Sequence, residues 1–267
     1  MTQITVLIPT YNRPEALSVT LTSLIYQIEK DFEIVIADQT KEPLLKYRST
    51  LKSVISVLEK ENLKVNYLRN IPPRGMAHQR HFLLQQSSSP YTLFIDDDLI
   101  LESYVIDNMK RIITEEKCGF VGCAVIGLSY KNIFRLDQQA IEFWDGVIQP
   151  EVVSPKSIQW ERYKLHNAAN IYHVQEQLKA SPSNPLKYKV AWVGGCVMFD
   201  TQKLNDVGGY SFWKELPEKH CGEDVLAQLR VMKKYGGCGI IPSGVYHQEL
   251  ETTVSDRRIN APEFLEI

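Results

Sequence analysis

The sequence predicts an α/β fold, in which a Rossmann-like and mainly parallel sheet is flanked by helices. Over the first hundred residues, short runs rich in β-branched and aromatic residues alternate with segments that have helical periodicity. The runs are continuously apolar, which is typical of parallel strands that helices cover on both faces. The composition suits a globular protein, since 44% of the 267 residues are hydrophobic and 23% are charged.

Four strands are predicted in this first part of the chain, at residues 4–8, 32–37, 64–68 and 91–95. Ligands of an open parallel sheet bind beyond the carboxyl ends of its strands. The segments that follow those ends are residues 10–13, 38, 69–75 and 96–98. We therefore expect these segments to form a binding site.

Helices are predicted between the strands. One begins at Pro14, because proline suits the first helical position, and an apolar stripe continues it through Leu21 and Leu24. Two further segments have the same periodicity, at residues 44–58 and 76–86.

The pattern is less regular after residue 117. Strands are predicted at residues 118–126 and 244–246, and at residues 188–199 with a break at two glycines. Helices are predicted at residues 167–178 and 223–235, and glycines frame the second helix on both sides.

The charge balance and the absent motifs exclude several classes of protein. Lysine plus arginine number 30 and aspartate plus glutamate 32, so the net charge of −2 gives no basic excess for binding nucleic acid. Neither G-x-G-x-x-G nor G-x-x-x-x-G-K-[ST] occurs, which argues against a Rossmann dehydrogenase and a P-loop NTPase.

The cysteines and the apolar segments predict a cytoplasmic protein. Five cysteines form no C-x-x-C pair, and their odd number is typical of free thiols in a reducing compartment. The N-terminus lacks the basic region of a signal peptide, and no stretch reaches the roughly 20 apolar residues of a membrane helix. Peripheral contact with the inner membrane face needs only a surface patch and is compatible with this expectation.

Three consecutive carboxylates end the fourth predicted strand, at Asp96, Asp97 and Asp98. No lysine or arginine occurs from His81 through Met109, so no sequence neighbour neutralises them. Adjacent like charges favour a compensating cation, and Mg²⁺ or Mn²⁺ is bound by one or two carboxylates together with substrate phosphates. The alternative is that Asp98 caps the following helix while the other two carboxylates are solvated.

Five segments resemble the motifs of family 2 glycosyltransferases of the GT-A fold, in the family's order. Residues 6–13 resemble the start of the family, residues 75–81 its G-x-x-x-A-R-N segment, and residues 96–98 its D-x-D motif. Residues 192–195 match the glycine-bearing strand, and residues 223–230 resemble the E-D-x-x-x-x-x-R helix that carries the catalytic base. The resemblance runs from residue 4 to about residue 235.

The sequence also departs from the family pattern. Gln79 and His81 stand where alanine and asparagine usually flank the arginine, here Arg80. No Q-x-x-R-W motif follows the helix, and processive polysaccharide synthases normally have one. The missing motif, together with the lack of a predicted membrane helix, favours a transferase that adds a single sugar.

The resemblance implies a role for each of fourteen residues. Asp224 is the implied base, with Glu223 beside it to contact the acceptor or to hold the helix, and Asp98 and His247 are the implied metal ligands. An ordinary surface histidine is the alternative for His247. Residues implied in binding the nucleotide sugar are Pro9, Thr10, Tyr11, Arg13, Asp38, Gly75, Arg80, Asp96, Asp97 and Gly195. Among these, Asp38 is expected to hydrogen-bond the base, and Arg80 to help to position the nucleotide.

The resemblance implies metal-dependent transfer of a sugar from a nucleoside diphosphate sugar to an acceptor hydroxyl, with inversion at the anomeric carbon. The donor implied by the resemblance is a UDP-sugar. The acceptor would be a glycan or a lipid-linked molecule in glycan or cell-surface polysaccharide synthesis, and the cofactor Mg²⁺ or Mn²⁺. Residues 1–117 would form the nucleotide half of a single domain and residues 118–267 the acceptor half. The alternatives are a nucleotidyltransferase of similar fold and a non-catalytic module that binds nucleotide sugar or glycan.

Three further expectations concern the pKa of Asp224, two arginines near the end of the sequence and the aromatic residues in its middle. The dipole at the start of the 223–235 helix is expected to lower the pKa of Asp224 and so keep its carboxyl ionised at pH 7. Arg257 and Arg258 are expected to be solvated rather than to close over a diphosphate. The aromatic residues between Phe143 and Tyr172 are expected to be core rather than a stacking surface for sugars.

Overall fold

The computed structural model describes residues 2–47, 49–254 and 256–267. Within them an eight-stranded sheet has the order β3-β2-β1-β4-β8-β6-β9-β7, and β5 pairs with β10 in a small second sheet. The strands are β1 (Ile4–Thr10), β2 (Phe32–Asp38), β3 (Val65–Arg69), β4 (Tyr91–Ile95), β5 (Leu99–Leu101), β6 (Phe120–Gly122), β7 (Leu186–Tyr188), β8 (Cys196–Asp200), β9 (Gly237–Ile241) and β10 (Val245–His247).

Helices lie between and after these strands. They are α1 (Pro14–Ile25), α2 (Leu44–Tyr47), α3 (Ser49–Lys60), α4 (Met76–Leu84), α5 (Val105–Glu116), α6 (Asn170–Leu178), α7 (Thr201–Asp206), α8 (Glu223–Tyr235) and α9 (Ala261–Phe264). The predicted helix at residues 44–58 is thus described as two pieces, and Arg48 between them lies outside the described residues. None of the helices in the described part of the chain is both long and apolar enough to cross a membrane.

The parallel arrangement predicted for the first four strands is confirmed. β1 pairs in parallel with β2 on one side and with β4 on the other, and β2 pairs in parallel with β3. All seven residues of β1 are buried. This burial explains why the strand is apolar without alternation, since helices cover both faces of the sheet.

The sheet becomes mixed in the second half of the chain. β8 runs antiparallel to both of its neighbours, β4 and β6, while β9 runs parallel to β6. The strand predicted at residues 118–126 shortens to β6, and the prediction at residues 188–199 is correct only for β8 and for the last residue of β7. The intervening residues 189–195 leave the sheet and approach the carboxyl end of β4.

Sequence reasoning missed β9 because glycine is unfavourable in strands. Gly237 faces the ring of Phe120, and Gly239 faces the ring of Tyr188, so closely that a Cβ atom at either position would overlap the ring. The glycines therefore make room for two fully buried aromatic side chains. This requirement comes from tertiary packing, and no local sequence pattern predicts it.

Two apolar layers hold the helices against the sheet. One layer packs α1, α3 and α5 on one face through residues such as Leu21, Leu51 and Met109, and the other packs α4 and α8 on the opposite face through residues such as Leu83 and Leu229. Because β4 pairs with β8, the end of β4 lies next to the second half of the chain. The start of α8 reaches the same place, where its Glu223 contacts the Arg80 of α4.

Candidate active site

A cleft of about 790 Å³ lies at the carboxyl ends of β1, β2 and β4. The start of α8 and the chain after β10 close its other side. The first half of the chain lines it with Pro9, Thr10, Tyr11, Arg13, Gln39, Met76, Gln79, Arg80, Asp96, Asp97 and Asp98. The second half contributes Trp192, Gly194, Cys221, Gly222, Glu223, Asp224, Val225, His247, Leu250, Thr252, Thr253, Val254, Arg257, Arg258, Asn260 and Glu263.

Most of the residues that the sequence singled out meet in this cleft, although they come from distant parts of the chain. Those in its lining are Pro9, Thr10, Tyr11, Arg13, Arg80, Asp96, Asp97, Asp98, Glu223, Asp224 and His247. Asp38, Gly75 and Gly195 do not line it.

Asp38 lies behind the wall of the cleft, which differs from its expected contact with the base. Its carboxylate is fully buried and accepts a hydrogen bond from Arg69 at 2.6 Å and another from the Tyr67 hydroxyl. It also accepts from the backbone N–H of Thr40 at 2.7 Å. Arg69 stands opposite Asp38 in the pairing of β2 with β3, so the strand register itself supplies this partner.

We expect Asp38→Ala to destabilise the fold. Removing one partner of a buried ion pair typically costs 3–5 kcal/mol. Because the Arg69 side chain is 27% exposed and can be rehydrated, we expect roughly 3 kcal/mol. Urea denaturation would measure the loss, and an unchanged midpoint would show that the Asp38 network contributes little.

Gln39, which sequence reasoning missed, lies in the cleft at the place expected for Asp38. Its side-chain amide nitrogen is buried and finds no hydrogen-bond partner among the described residues. A buried donor without a partner costs about 1–3 kcal/mol and favours a ligand that carries an acceptor. The sequence signal for Gln39 was its position directly after a buried strand. That signal does not tell which of the two adjacent side chains, Asp38 or Gln39, lines the cleft.

Gly75 and Gly195 shape the cleft from outside it. Gly75 precedes α4 with φ +88°, and a Cβ atom there would press on the carbonyl of Glu218 and on the ring of His220. Gly195 has φ +77°, and its carbonyl accepts a hydrogen bond of 2.9 Å from the backbone of Asp96. Both positive φ values lie in the region that favours glycine.

The three strand-end carboxylates are neutralised by arginines far away in sequence, contrary to the sequence argument. Arg13 Nη1 lies 2.7 Å from Asp98 and 3.4 Å from Asp97, and Arg80 Nη2 lies 3.1 Å from Asp96. Arg13 reaches them because Asn12 adopts φ 56°, a left-handed conformation that asparagine tolerates, in the turn between β1 and α1. Every carboxylate of the triplet therefore has a cationic partner.

The three carboxylates differ in their surroundings. Asp97 accepts a hydrogen bond of 2.6 Å from the Thr10 hydroxyl, and burial raises its pKa to about 6. Asp96 keeps 40% of its side chain exposed toward the cleft. Burial opposes ionisation of Asp98, but the hydrogen bond from His247 and the charge of Arg13 outweigh it and lower the pKa of Asp98.

His247 stands beside Asp98, with Nε2 3.4 Å from the nearer carboxylate oxygen. Its Nδ1 accepts a hydrogen bond of 2.7 Å from the backbone of Glu249, which leaves Nε2 as the nitrogen directed to Asp98. This contact raises the pKa of His247. The histidine is therefore part of the site and not an isolated surface residue.

Asp98 fits a hard divalent cation in the way that such sites are usually built. For His247 to ligate through Nε2, its proton must move to Nδ1 and the hydrogen bond from Glu249 must break. Among the residues described, no cluster of three or more His, Cys, Asp or Glu side chains could hold a metal unaided. Mg²⁺ seldom needs such a cage, because it is held by one or two carboxylates and completed by substrate phosphates and water. An ionised Asp98 at the floor of an open cleft, with a histidine beside it, meets that requirement.

Arg80 joins the two halves of the cleft. Its guanidinium donates to Asp96 on one side and, at 3.0 Å, to Glu223 at the start of α8 on the other. Only 7% of its side chain is exposed. Gln79, which replaces the family's alanine, donates 2.6 Å to the carbonyl of Ala37 and so fixes α4 against β2.

Glu223 and Asp224 point to different surroundings, as expected for neighbours on a helix. Glu223 is buried in its pair with Arg80, whereas no side chain within the described ranges bonds to the Asp224 carboxylate, which lines the cleft. Burial and the charge of Glu223 raise the pKa of Asp224 to about 6. The expectation that the helix dipole lowers this pKa was therefore wrong, because desolvation outweighs the dipole.

Arg257 and Arg258 are exposed, as expected from the sequence, and they line the mouth of the cleft. Arg258 remains 86% exposed and pairs with Asp256 at 2.7 Å. Backbone hydrogen bonds anchor the segment that carries these two arginines at both of its ends. The backbone N–H of Gln248 donates 2.9 Å to the Asp98 carbonyl, and that of Cys221 donates 2.9 Å to the Ile259 carbonyl.

Comparison with known proteins agrees with this geometry. Residues 5–174 match the family model described as Glycosyl transferase family 2. A curated protein of Campylobacter jejuni subsp. jejuni, GalNAc(5)-diNAcBac-PP-undecaprenol beta-1,3-glucosyltransferase, is 29% identical over 127 residues. The match covers 47% of this chain and 39% of that protein, so the chain spans well under half the length of this relative.

Two solved structures resemble the fold over nearly the whole chain. TarS 1–349 of S. aureus in complex with UDP-GlcNAc has a TM-score of 0.53 at 16% identity, over 94% of this chain and 60% of that one. The mannosyltransferase PcManGT from Pyrobaculum calidifontis, in complex with GDP-Man and Mn²⁺, has a TM-score of 0.52 at 15% identity, over 89% and 56%. At these identities the likeness concerns the fold alone.

The family match stops before α8, so the acidic pair at its start lies beyond the matched residues. The structural likeness covers 94% of the chain, more than the family model matches. Since the family model matches more than half of the sequence, the chain belongs to glycosyl transferase family 2, a family of enzymes with the GT-A fold.

Proposed function

We propose that the protein transfers a sugar from a nucleoside diphosphate sugar to a hydroxyl group of an acceptor, with inversion at the anomeric carbon. The observation that carries this proposal is that one cleft holds both the carboxylates after β4 and the Asp224 carboxylate of α8. A single displacement needs two such components, one to hold the donor diphosphate and one to take the proton of the acceptor.

The nucleotide base binds beside Thr10, Tyr11 and Gln39 at the ends of β1 and β2. The Gln39 amide donates to a carbonyl oxygen of the base, which satisfies the nitrogen that lacks a partner among the described residues. Uracil is the proposed base by family resemblance, and among the solved structures of this fold one holds UDP-GlcNAc and another GDP-Man. Asp96 contacts the ribose, because Asp97 is engaged by Thr10.

The diphosphate lies over Asp98, with Arg257 and Arg258 at the mouth of the cleft as counter-charges. Asp98 and His247 would hold Mg²⁺ or Mn²⁺, which when bound stabilises the negative charge that develops on the leaving diphosphate. The presence of Mn²⁺ with GDP-Man in the mannosyltransferase structure supports this cofactor.

Asp224 acts as the base. The acceptor hydroxyl gives its proton to this carboxylate while the acceptor oxygen bonds to the anomeric carbon of the donor. The bond from that carbon to the diphosphate oxygen breaks, and its electron pair leaves with the nucleoside diphosphate. Attack opposite the leaving group inverts the anomeric centre, and Glu223 holds Arg80 and the start of α8 in place.

The acceptor is proposed to be a glycan or a lipid-linked molecule, used for single additions in glycan or cell-surface polysaccharide synthesis. The name of the curated relative, which includes an undecaprenol-linked substrate, supports a lipid-linked acceptor. Such an acceptor fits a cytoplasmic protein that contacts the inner membrane face. Residues 1–117 would bind the nucleotide, and residues 118–267 the acceptor.

Binding and product analysis together test this proposal. Calorimetry would measure the affinity for UDP and GDP with Mn²⁺, and turnover would be followed with UDP-glucose, UDP-GlcNAc, UDP-GalNAc and GDP-mannose. We expect UDP to bind and a UDP-sugar to yield UDP by transfer or slow hydrolysis. Release of a sugar 1-phosphate would indicate a nucleotidyltransferase, and nucleotide binding without turnover would indicate a non-catalytic module.

The pKa of Asp224 predicts the pH dependence of turnover. A base must be ionised to accept a proton, so kcat should rise with pH through about 6 and level off above it. One unit below that pKa, only about a tenth of the carboxyl groups are ionised, and kcat should fall roughly tenfold. In Glu223→Gln this acid limb should move to lower pH, because the neighbouring negative charge that raises the pKa is removed. A profile that is flat from pH 5 to pH 8 would contradict the assignment.

A further inference from the structure

We propose that Trp192 forms the wall against which the acceptor packs, and that the acceptor therefore presents a sugar ring at the reacting hydroxyl. The inference rests on the proposed function and narrows its acceptor to a saccharide. Trp192 belongs to the stretch of residues 189–195 that leaves the sheet between β7 and β8. It is half-buried and lines the same cleft as Asp224.

Two further aromatic side chains support Trp192 from outside the cleft lining. The ring of Tyr163 stacks on it at 5.2 Å between centroids and 16° between planes, and the ring of Trp160 lies at 4.4 Å and 42°. Both come from residues 158–166, within the region that sequence analysis expected to be core. The two rings pack on the ring of Trp192, and Trp192 is still half-buried in the lining of the cleft.

Hydrogen bonds fix the position of this wall relative to the base. The fully buried Gln228 lies one turn beyond Asp224 on α8. Its side-chain amide accepts from the backbone N–H of Val193 and donates to the Val193 carbonyl, both at 2.8 Å, and it also donates 3.1 Å to the Asp224 carbonyl. The residue after Trp192 is thus tied directly to the residue that carries the base.

The chemistry of this wall suits a sugar. A pyranose ring presents a face of C–H groups that packs on an aromatic ring, while its hydroxyl groups remain at the edge. The lining residues that follow Trp192 and Asp224 in the chain, Gly194 and Val225, carry no charge, and the Glu223 carboxylate is paired with Arg80. The lining arginines, in contrast, come from the donor side and from the chain after β10. A polyol phosphate would need a cation at the acceptor wall, and Arg80, which reaches the start of α8, is already paired with Glu223 and Asp96.

The test compares acceptor use with nucleotide binding in variants of Trp192. The acceptors are p-nitrophenyl β-glycosides of GalNAc, GlcNAc, glucose and galactose, with glycerol 3-phosphate as the charged, ring-free alternative. We expect at least one glycoside to be used by the wild type. Trp192→Ala should raise the KM for it about tenfold or more, with a smaller effect on kcat, because about 1.4 kcal/mol of contact corresponds to a factor of ten. Trp192→Phe should restore most of the affinity.

Trp144→Ala is the matched control. This tryptophan packs against the core and lies under Lys189 at 5.1 Å, and it does not line the cleft. Its KM for the glycoside should stay within about twofold of the wild type. The Kd for UDP should also be unchanged in Trp192→Ala, which separates a lost acceptor wall from a damaged fold.

Several results would overturn the inference. One is an unchanged KM in Trp192→Ala, another is an equal rise in KM in Trp144→Ala, and a third is use of glycerol 3-phosphate by a protein that takes none of the glycosides. Failure of the proposed function would look different, because the wild type would then neither bind UDP nor release it from any UDP-sugar.

Discussion

Asp224→Asn is expected to lower kcat by roughly 10²–10⁴-fold, the usual contribution of a general base. The carboxylate lines the cleft, and no side chain bonds to it within the part of the chain that the structure describes. It is therefore available to a ligand. Asparagine keeps the size of the side chain and removes its capacity to accept a proton.

The effect should appear in kcat and not in donor affinity. Asp224 lies at the start of α8, where Gln228 links its backbone carbonyl to that of Val193, whereas the proposed nucleotide contacts come from β1, β2 and the end of β4. The Kd for UDP, measured by calorimetry, should change less than twofold in Asp224→Asn. A loss of UDP binding would show that the variant had altered the fold or the donor site.

Glu223→Gln is the matched control for this prediction. Its carboxylate is buried against Arg80, and glutamine can still accept the hydrogen bond from Arg80 Nε. We expect a smaller loss of kcat than in Asp224→Asn, together with the shifted acid limb predicted above. If Glu223→Gln were the inactive variant and Asp224→Asn kept near-normal turnover, the base would be Glu223.

The parts of this fold that sequence predicts well are those whose signals are local. The bounds of β4 and α8 are those predicted, because an apolar run that ends in charge marks the strand and two glycine boundaries mark the helix. The order of the motifs likewise predicts which segments share one edge of the sheet. The cleft and most of its lining follow from these two facts.

What sequence could not predict depends on contacts between distant residues. Arg13 lies 85 positions before Asp98, so a search for nearby charge misses the ion pair that neutralises it. The hydrogen-bond partners of Asp38 depend on the strand register, which places Arg69 opposite it. Asp38 therefore does not line the cleft, and its neighbour Gln39 does. The pKa of Asp224 depends on the desolvation of its carboxyl by burial, and an argument from the helix dipole alone leaves out this desolvation.

The ion pair of Arg13 also changes how a metal ion would enter the site. Its guanidinium already occupies the carboxylate of Asp98, and the same side chain donates to the carbonyl of Glu251. Because this contact uses Asp98 Oδ2, a cation that binds the same oxygen must displace Arg13. In the donor-free protein we therefore expect Mn²⁺ to bind weakly, and a diphosphate to assist its binding by offering Arg13 another anion.

Asp98→Asn is expected to abolish metal-stimulated transfer, by roughly 10³-fold or more, since a bound metal supplies several kcal/mol of charge stabilisation. Turnover would be measured against Mn²⁺ concentration, and Mn²⁺ binding by electron paramagnetic resonance with and without UDP. Arg13→Gln is the contrasting variant: it removes the competing cation and should tighten Mn²⁺ binding without UDP about tenfold, as expected when a charge-assisted hydrogen bond is lost. Circular dichroism would confirm that both variants are folded. Full activity of Asp98→Asn, or of the wild type in excess chelator, would show that the strand-end carboxylates do not hold a metal ion. The charge of the diphosphate would then be balanced by the cationic side chains that line the described cleft, which are Arg13, Arg80, His247, Arg257 and Arg258.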